Sequence, residues 1–338
     1  MRRTKEYAAI DIARYVSALL VVAIHVFPFV DISETFNTYF MADVCRLAVP
    51  FFFVVSAFFF FRKWGEDESD NEAHLKKYLW RLGKIYLIWT VIYLPYTIWN
   101  YASVGFSFFG LLGWIRDFFL NGSYYHLWFL PAMMLGMVIV TTLFSKKGLA
   151  FTLKTAGILY LIGYVINVFG PIWASLPFIS VVYGFFTKTL VTARDGIFFA
   201  PMYLALGLLL AKTRRVNIKG CAVAFAVSEI LLCVETAIYG HFGLLKDLTS
   251  MFLMLVPATF FLVDMLLVVK MPYKPVYKQL RQDSLLIYTS HILFARLLLM
   301  LLPNSHLAVY FFTLAASQAF ATLVVRNEER YPILRNLV

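Results

Sequence analysis

The chain has 338 residues, of which 61% are hydrophobic and only 14% charged, where soluble domains run at about 45–50% and about 25%. That composition excludes a soluble globular domain and places the chain in a lipid bilayer. The net charge of +11 does not mark a nucleic-acid binder, because Lys and Arg fall in short clusters between apolar runs and make no basic face with interleaved aromatics.

The first apolar run, AAIDIARYVSALLVVAIHVFPF, predicts a helix over 8–29. MRRTK ahead of it has the charge of a signal peptide, but no small-x-small site follows and the run is long enough to span, so it reads as a retained first helix. DISETFN follows as a polar loop, then a second helix over 45–61. The longest polar segment, RKWGEDESDNEAHLKKYLWR, reads as a solvated loop with an amphipathic lead-in to a third helix over 82–99. Residues 105–123, with Gly at both ends and Arg116–Asp117 inside, read as interfacial or re-entrant. Helices are predicted over 124–144 and 149–169. From 170 to 195 the chain is broken by Pro171, Pro177 and Gly184 and carries Lys188 and Arg194, which predicts a loop with half-buried pieces. Four of the remaining five helices fall at 196–211, 220–239, 250–269 and 284–302. The fifth, 307–325, follows a PNSH turn, and RNEERYPILRNLV over 326–338 reads as a cytoplasmic tail or linker. There is no internal repeat and no low-complexity segment, so a single all-α domain over 1–338 is expected, a polytopic membrane bundle of about ten spans.

Alternate loops differ sharply in charge. MRRTK, RKW…KKYLWR, SKKG, AKTRRVNIK, KMPYKPVYKQLR and RNEER hold most of the Lys and Arg; DISETFN, HFGLLKD and PNSH hold very few. The positive-inside bias therefore predicts cytoplasmic N- and C-termini, with Arg14 in the inner half of the first helix and His25 in the outer half. The three cysteines, Cys45, Cys221 and Cys233, have no CxxC or metal-ligand spacing and read as packing residues, so no metal site is expected.

Four groups carry chemistry. Asp11, Arg14 and His25 lie on one stripe of the first helix, the last two about 16 Å apart in rise. Ionisable groups inside a membrane helix are costly and point to function. Arg14 offers a fixed fork of donors for phosphate and His25 a base or acyl acceptor near neutral pH. The plainer reading is that Asp11 and Arg14 merely neutralise one another. Tyr124, Tyr125, His126 and Trp128 open the 124–144 helix, either as a substrate site or as an interfacial aromatic belt. Arg194 and Asp195 stand immediately before the 196–211 helix, as an anion site or as a helix cap. Tyr288 and His291 share a face, as a ligand site or as buried hydrogen-bonded groups. Glu229, Glu235 and Asp264 should face the bundle or an interface. No GxSxG elbow, Walker loop, GxGxxG turn or HExxH motif is present.

Arg14 and His25 separated by ten residues, PFFFVVSAFFFF, KKYLWRLGKIY, HLWFLPA and DSLLIYTSHILF together resemble the acyltransferase-3 family of bacterial membrane proteins, and the match covers most of the chain. The resemblance implies a ten-helix domain that takes an acyl group, usually acetyl from cytoplasmic acetyl-CoA, and delivers it to an acceptor at or across the membrane. It implies His25 as the acyl-handling residue and Arg14, Lys77, Arg81 and Lys84 on the CoA side. An acceptor would then bind from outside near Tyr125, His126, Trp128, Arg194 and Asp195. YHLWFLPA with TARDGIFFAPMYLALG is most similar to the membrane domain of VanT-type serine racemases of vancomycin-resistant bacteria. That likeness implies L-serine import for a racemase domain, or an anchoring platform for such a domain or a homodimer, with no pyridoxal phosphate held by this chain. One departure is plain: family members that acetylate sugars carry Trp-Ser-Leu-x-x-Glu where this chain has Trp128, Phe129, Leu130 and Met133, which argues against sugar O-acetylation. The second family motif, usually ending Ser-Gly, reads Ser56-Ala57.

Overall fold

A computed structural model describes residues 7–213, 217–245 and 250–337. The MRRTK cluster, Arg214 and Arg215 of the fourth basic loop, and Lys246 and Asp247 of HFGLLKD lie outside the described residues. Among the described residues thirteen α-helices run in order: α1 Ala8–Val26, α2 Glu34–Tyr39, α3 Ala48–Phe61, α4 Glu68–Val104, α5 Phe108–Leu120, α6 Phe129–Val168, α7 Gly170–Ser175, α8 Pro177–Thr189, α9 Ala200–Lys212, α10 Ile218–His241, α11 Leu255–Val268, α12 Pro275–Leu301 and α13 His306–Asn327. There is no strand among the described residues. Six runs of the described residues are long and apolar enough to cross a membrane, namely Ala8–Val26, Glu34–Phe61, Tyr125–Val168, Ile218–His241, Pro275–Leu301 and His306–Asn327, and α9 and α11 are shorter apolar helices. The chain is a polytopic helical membrane protein, and a helix occupies the greater part of each of the ten predicted spans.

The boundaries differ from expectation for local reasons. The first helix stops at Val26 rather than 29, because Pro28 bars the α conformation at the residue before it. Phe27 takes a left-handed φ of 56° and its N–H closes onto Ala23 O. The second helical run begins at Glu34 inside the predicted DISETFN loop, where the Ser33 hydroxyl accepts from Phe36 N–H, and passes through a π turn at Phe40–Val44 and a 3₁₀ turn at Cys45–Leu47. The polar lead-in to the third helix is itself helical from Glu68. Asp67 caps it by accepting from the Ser69 and Asp70 N–H groups, so α4 runs 37 residues, about 55 Å. Residues 105–123 form α5, 13 residues with none fully buried, too short to span.

The predicted 170–195 loop is largely helix. Pro171 and Pro177 each occupy the first turn of a helix, α7 and α8, where a missing N–H costs nothing and the fixed φ suits the helix. They start helices rather than interrupting one. SKKG breaks the α6 run as expected: Gly148, at φ 76° and ψ −179°, is not helical and separates two arms that correspond to the predicted 124–144 and 149–169 spans.

The chain divides into two compact units, Met1–Val55 with Thr213–Asn336, and Ser56–Lys212. In the first, α1 packs on α12 and α13. Ala18, Val22, Val26, Ile287, Ala295 and Val309 form one fully buried cluster, and Ala23, Met41 and Cys45 another. Cys45 and Cys221 are buried as expected, but Cys233 is exposed. Glu235 explains its own burial: its carboxylate accepts from Leu253 N–H and Met254 N–H at 2.8 Å each, capping α11 from α10, and from Tyr239 Oη at 2.6 Å. Asp264 accepts from Cys221 Sγ at 3.4 Å. In the second unit α6 and α9 approach closely, and a Cβ on Gly136 would lie 2.8 Å from Leu204 Cδ1 and 2.9 Å from Ala200 Cβ.

Two glycines of α6 separate backbone strain from space. A Cβ on either Gly148 or Gly157 meets nothing within 4 Å, yet only Gly148 has a positive φ. Gly148→Ala is expected to lower stability by roughly 1–3 kcal/mol, while Gly157→Ala is neutral or gains about 0.5–1 kcal/mol. Thermal unfolding of both variants in the same detergent checks this, and equal effects would refute the break.

Candidate functional site

Asp11 is a buried charge at one end of the site, 3% exposed on a helix of mostly apolar residues. Two guanidiniums flank it. Arg14 Nη1 lies 3.6 Å from Asp11 Oδ1, one turn along the same helix, and Arg281 Nη1 on α12 lies 3.4 Å from Asp11 Oδ2 and 3.5 Å from Oδ1. The neutralising Asp11–Arg14 pair weighed from the sequence is therefore present. Because a second arginine joins it, however, the group as a whole carries an excess positive charge. Arg281 was invisible as a site residue in the sequence, where it counted as one more cation in a topology-setting loop. Beside the trio, Tyr15 Oη donates to Gln318 Oε1 at 2.8 Å, and Gln318 Nε2 donates to the buried Asp283 at 3.0 Å. These three also escaped the sequence reading, since each pairs across more than thirty residues of chain.

At the other end of α1, His25 Nδ1 is 2.8 Å from Val21 O and 3.1 Å from His291 Nε2. The two rings lie 5.0 Å apart between centroids and tilted by 47°. His291 is fully buried, with Nδ1 2.8 Å from Tyr288 O and 3.0 Å from Ile287 O. Tyr288, 7% exposed, belongs to the same buried face of α12. The fold thus brings Asp11, Arg14, His25, Tyr288 and His291 into one unit.

The second unit holds the other candidates. His126 and Trp128 are 1% and 8% exposed, while Tyr125 is 49% exposed. The belt reading accordingly fails for the first two and suits only Tyr125. Tyr93 stacks on Tyr124 at 4.7 Å and meets the His126 ring edge-on at 4.8 Å. The Arg194 guanidinium lies 4.8 Å over the Trp128 ring, and Trp128 in turn packs edge-on against Phe199. The turn entering this cluster depends on Gly122, at φ 91°, where a Cβ would lie 2.5 Å from Trp128 N. Asp195 is not the cap of α9, which begins only at Ala200; its carboxylate accepts from Ile197 N–H at 2.8 Å and Phe198 N–H at 2.7 Å within the turn that leads into that helix. Lys77, Arg81 and Lys84 are exposed on one stripe of α4. Met133, in the place of the acid that sugar-acetylating members carry, is buried at 1% exposure. Among the described residues no group of three or more His, Cys, Asp or Glu is placed to hold a metal ion.

The profile of the acyltransferase-3 family, described as an acyltransferase domain, matches residues 7–326. The chain belongs to the acyltransferase-3 family. It is also similar to curated bacterial racemases. An amino-acid racemase of Enterococcus faecalis is 31% identical over 285 residues, which are 83% of this chain and 40% of that protein. A second from the same organism is 32% identical over 268 residues, 79% of this chain and 37% of that protein. A serine/alanine racemase of Enterococcus gallinarum is 31% identical over 268 residues, 76% of this chain and 37% of that protein. The chain spans about two fifths of the length of these relatives. No solved structure matches.

Burial pushes the Asp195 carboxyl up from 3.8 to about 6, against the opposing pull of the Phe198 and Ile197 N–H groups. The folded state therefore holds this proton more tightly than the unfolded chain. The stability that protonated Asp195 contributes is full below about pH 4 and is lost as pH rises through about 6, amounting to no more than about 3 kcal/mol. Asp195→Asn keeps an accepting oxygen and has no charge to bury. Melting curves are expected to coincide at pH 4, with the variant the more stable at pH 7; an unchanged difference across that range would count against the assignment.

Proposed function

We propose that the chain is the acyl-handling membrane domain of a bacterial cell-membrane protein, with cytoplasmic termini, which transfers an acyl group from acyl-CoA to a hydroxyl-bearing acceptor. The observation that carries this reading is the pairing on α1 of a cationic anion cradle, Arg14 and Arg281 about Asp11, with a histidine one helix-length away that is hydrogen-bonded to a second histidine. Two guanidiniums offer planar forks to phosphate oxygens, and Asp11 fixes their orientation. About 16 Å of helical rise separates Arg14 from His25, a span that a flexible pantetheine arm crosses. In the other unit, Lys77, Arg81 and Lys84 form an exposed stripe of α4 with the charge that CoA phosphates require. His126, Trp128 and Arg194 are assigned to the acceptor, for which a guanidinium over an indole suits a polar small molecule.

In the transfer step the acceptor oxygen attacks the thioester carbonyl carbon while His25 takes the hydroxyl proton. The C–O bond forms, the C–S bond breaks, and the departing CoA thiolate takes that proton from His25. The products are an ester and free CoA thiol. A donor Arg toward the cytoplasm and a His further out give the order that transfer toward the far side requires.

A second reading has support of its own, because the curated relatives are named amino-acid racemase and serine/alanine racemase. In that reading the same buried charges grip the carboxylate and ammonium of L-serine and carry it inward for D-serine synthesis in vancomycin resistance. Membrane anchoring or docking of a racemase domain is the minimal form of the same idea.

Calorimetry with the purified chain separates the two. Acetyl-CoA is expected to bind, and Arg281→Ala, which leaves Asp11 paired with Arg14, should weaken binding at least tenfold, as the loss of a charge-assisted contact does. His25→Ala should keep binding and lose thiol release from acetyl-CoA supplied together with a hydroxyl acceptor, for which L-serine and glycerol serve as trial compounds. Uptake of L-serine by proteoliposomes without acetyl-CoA binding would move the assignment to import.

A further inference from the structure

Backbone carbonyls fix the protonation pattern of the buried histidine pair. His291 Nδ1 lies 2.8 Å from Tyr288 O and 3.0 Å from Ile287 O. A carbonyl oxygen only accepts, so a lone pair on Nδ1 would face two others, and the proton of the ring must be on Nδ1. In the neutral ring Nε2 is then an acceptor. That Nε2 lies 3.1 Å from His25 Nδ1, which also faces Val21 O at 2.8 Å. An unprotonated Nδ1 on His25 would set its lone pair against that of Val21 O, so its proton is on Nδ1 as well. His25 Nε2 is left as the unprotonated nitrogen of its ring.

We infer that His291 is a positioning residue, which holds His25 in the Nδ1–H tautomer so that Nε2 is the atom that receives the acceptor's proton. The role is that of the group behind the base in a catalytic triad, which orients the imidazole and selects its tautomer without itself taking the proton. Here a neutral histidine, oriented by main-chain oxygens of its own helix, stands where the triad has a carboxylate, and no further charge is brought into the membrane interior. The position is well held: Ile287, Ser290 and His291 on α12 are all fully buried, as are Ala18 and Val22 on the facing part of α1. Val21 O alone is a weaker orienter, since it is the i−4 carbonyl to which the backbone N–H of His25 is directed within the helix. The inference rests on the reading of His25 as the base of acyl transfer, but the tautomer itself can be measured without any reaction.

The test is ¹⁵N NMR of the whole chain, labelled at histidine and held in lipid nanodiscs, with His25 signals assigned by their loss in His25→Gln. The wild type is expected to show His25 as the Nδ1–H tautomer. His291→Phe should shift the population toward Nε2–H, and His291→Asn, whose amide oxygen can accept from His25 Nδ1, should restore it. In parallel, thiol release from acetyl-CoA should fall in His291→Phe by between about tenfold and 10⁴-fold, the upper figure being the cost of a wrong tautomer in a serine protease. The acetyl-CoA affinity should stay unchanged and the Asn variant should recover part of the rate. An Nε2–H tautomer in the wild type overturns the inference even if no variant folds, and so does a tautomer ratio indifferent to His291→Phe. If the tautomers behave as expected but the wild type releases no thiol, the acyl-transfer reading falls and the histidine coupling stands.

Discussion

A carboxylate buried in an apolar helix must be compensated, and the first unit is organised by how Asp11 meets that demand. Losing one partner from a buried pair typically costs about 3–5 kcal/mol, because the remaining charge is stranded away from water. Arg14 on the same helix is at hand for any fold of this sequence. Arg281 is not: it reaches Asp11 only if α12 lies against α1 in one register. The same register sets His291 beside His25 two to three turns further on, and carries Asp283 to Gln318, which Tyr15 holds in turn from α1. One ionic constraint thus aligns three helices and both ends of the candidate site.

That constraint also marks the limit of what the sequence discloses. The spans were legible because long apolar runs have few alternatives in a bilayer, and Asp11, Arg14 and His25 were legible because they interrupt such a run at helical spacing. Arg281, Gln318 and Asp283 were not, since their partners lie up to 303 residues away and periodicity carries no information on which helices touch. Helix ends were misread where a local rule has two outcomes. Pro28 ends a helix, whereas Pro171 and Pro177 begin one, and only the conformation of the preceding residues distinguishes these cases. Burial was ambiguous for aromatic residues in the same way: HLWF at a membrane entry suits a belt, yet His126 and Trp128 are enclosed and Tyr125 alone is open.

The second unit uses charge differently. Asp195 spends its acceptor capacity on the main-chain N–H groups of its own turn, so the turn that leads into α9 is already occupied and does not offer an open anion site. Arg194 is directed instead over the Trp128 ring, with its guanidinium carbon 4.8 Å from the ring centroid. A planar, partly desolvated guanidinium in an aromatic cluster recognises a small polar molecule by both charge and shape, which suits an amino acid as well as an alcohol acceptor.

Met133 sharpens the choice between these. Where sugar-acetylating members of the family have a carboxylate, this chain places a thioether with 1% exposure, and a thioether neither accepts a proton nor orients a hydroxyl firmly. The burden of activating an acceptor then falls on α1. A lone imidazole would divide between two tautomers, only one of which presents Nε2 as a base. Coupling His25 to a buried second histidine removes that ambiguity at no cost in buried charge, which a carboxylate partner would have imposed. On this view the coupling of His25 to His291 presents the base at the atom that transfer requires, from groups of one unit alone, and brings no further charge into the membrane interior.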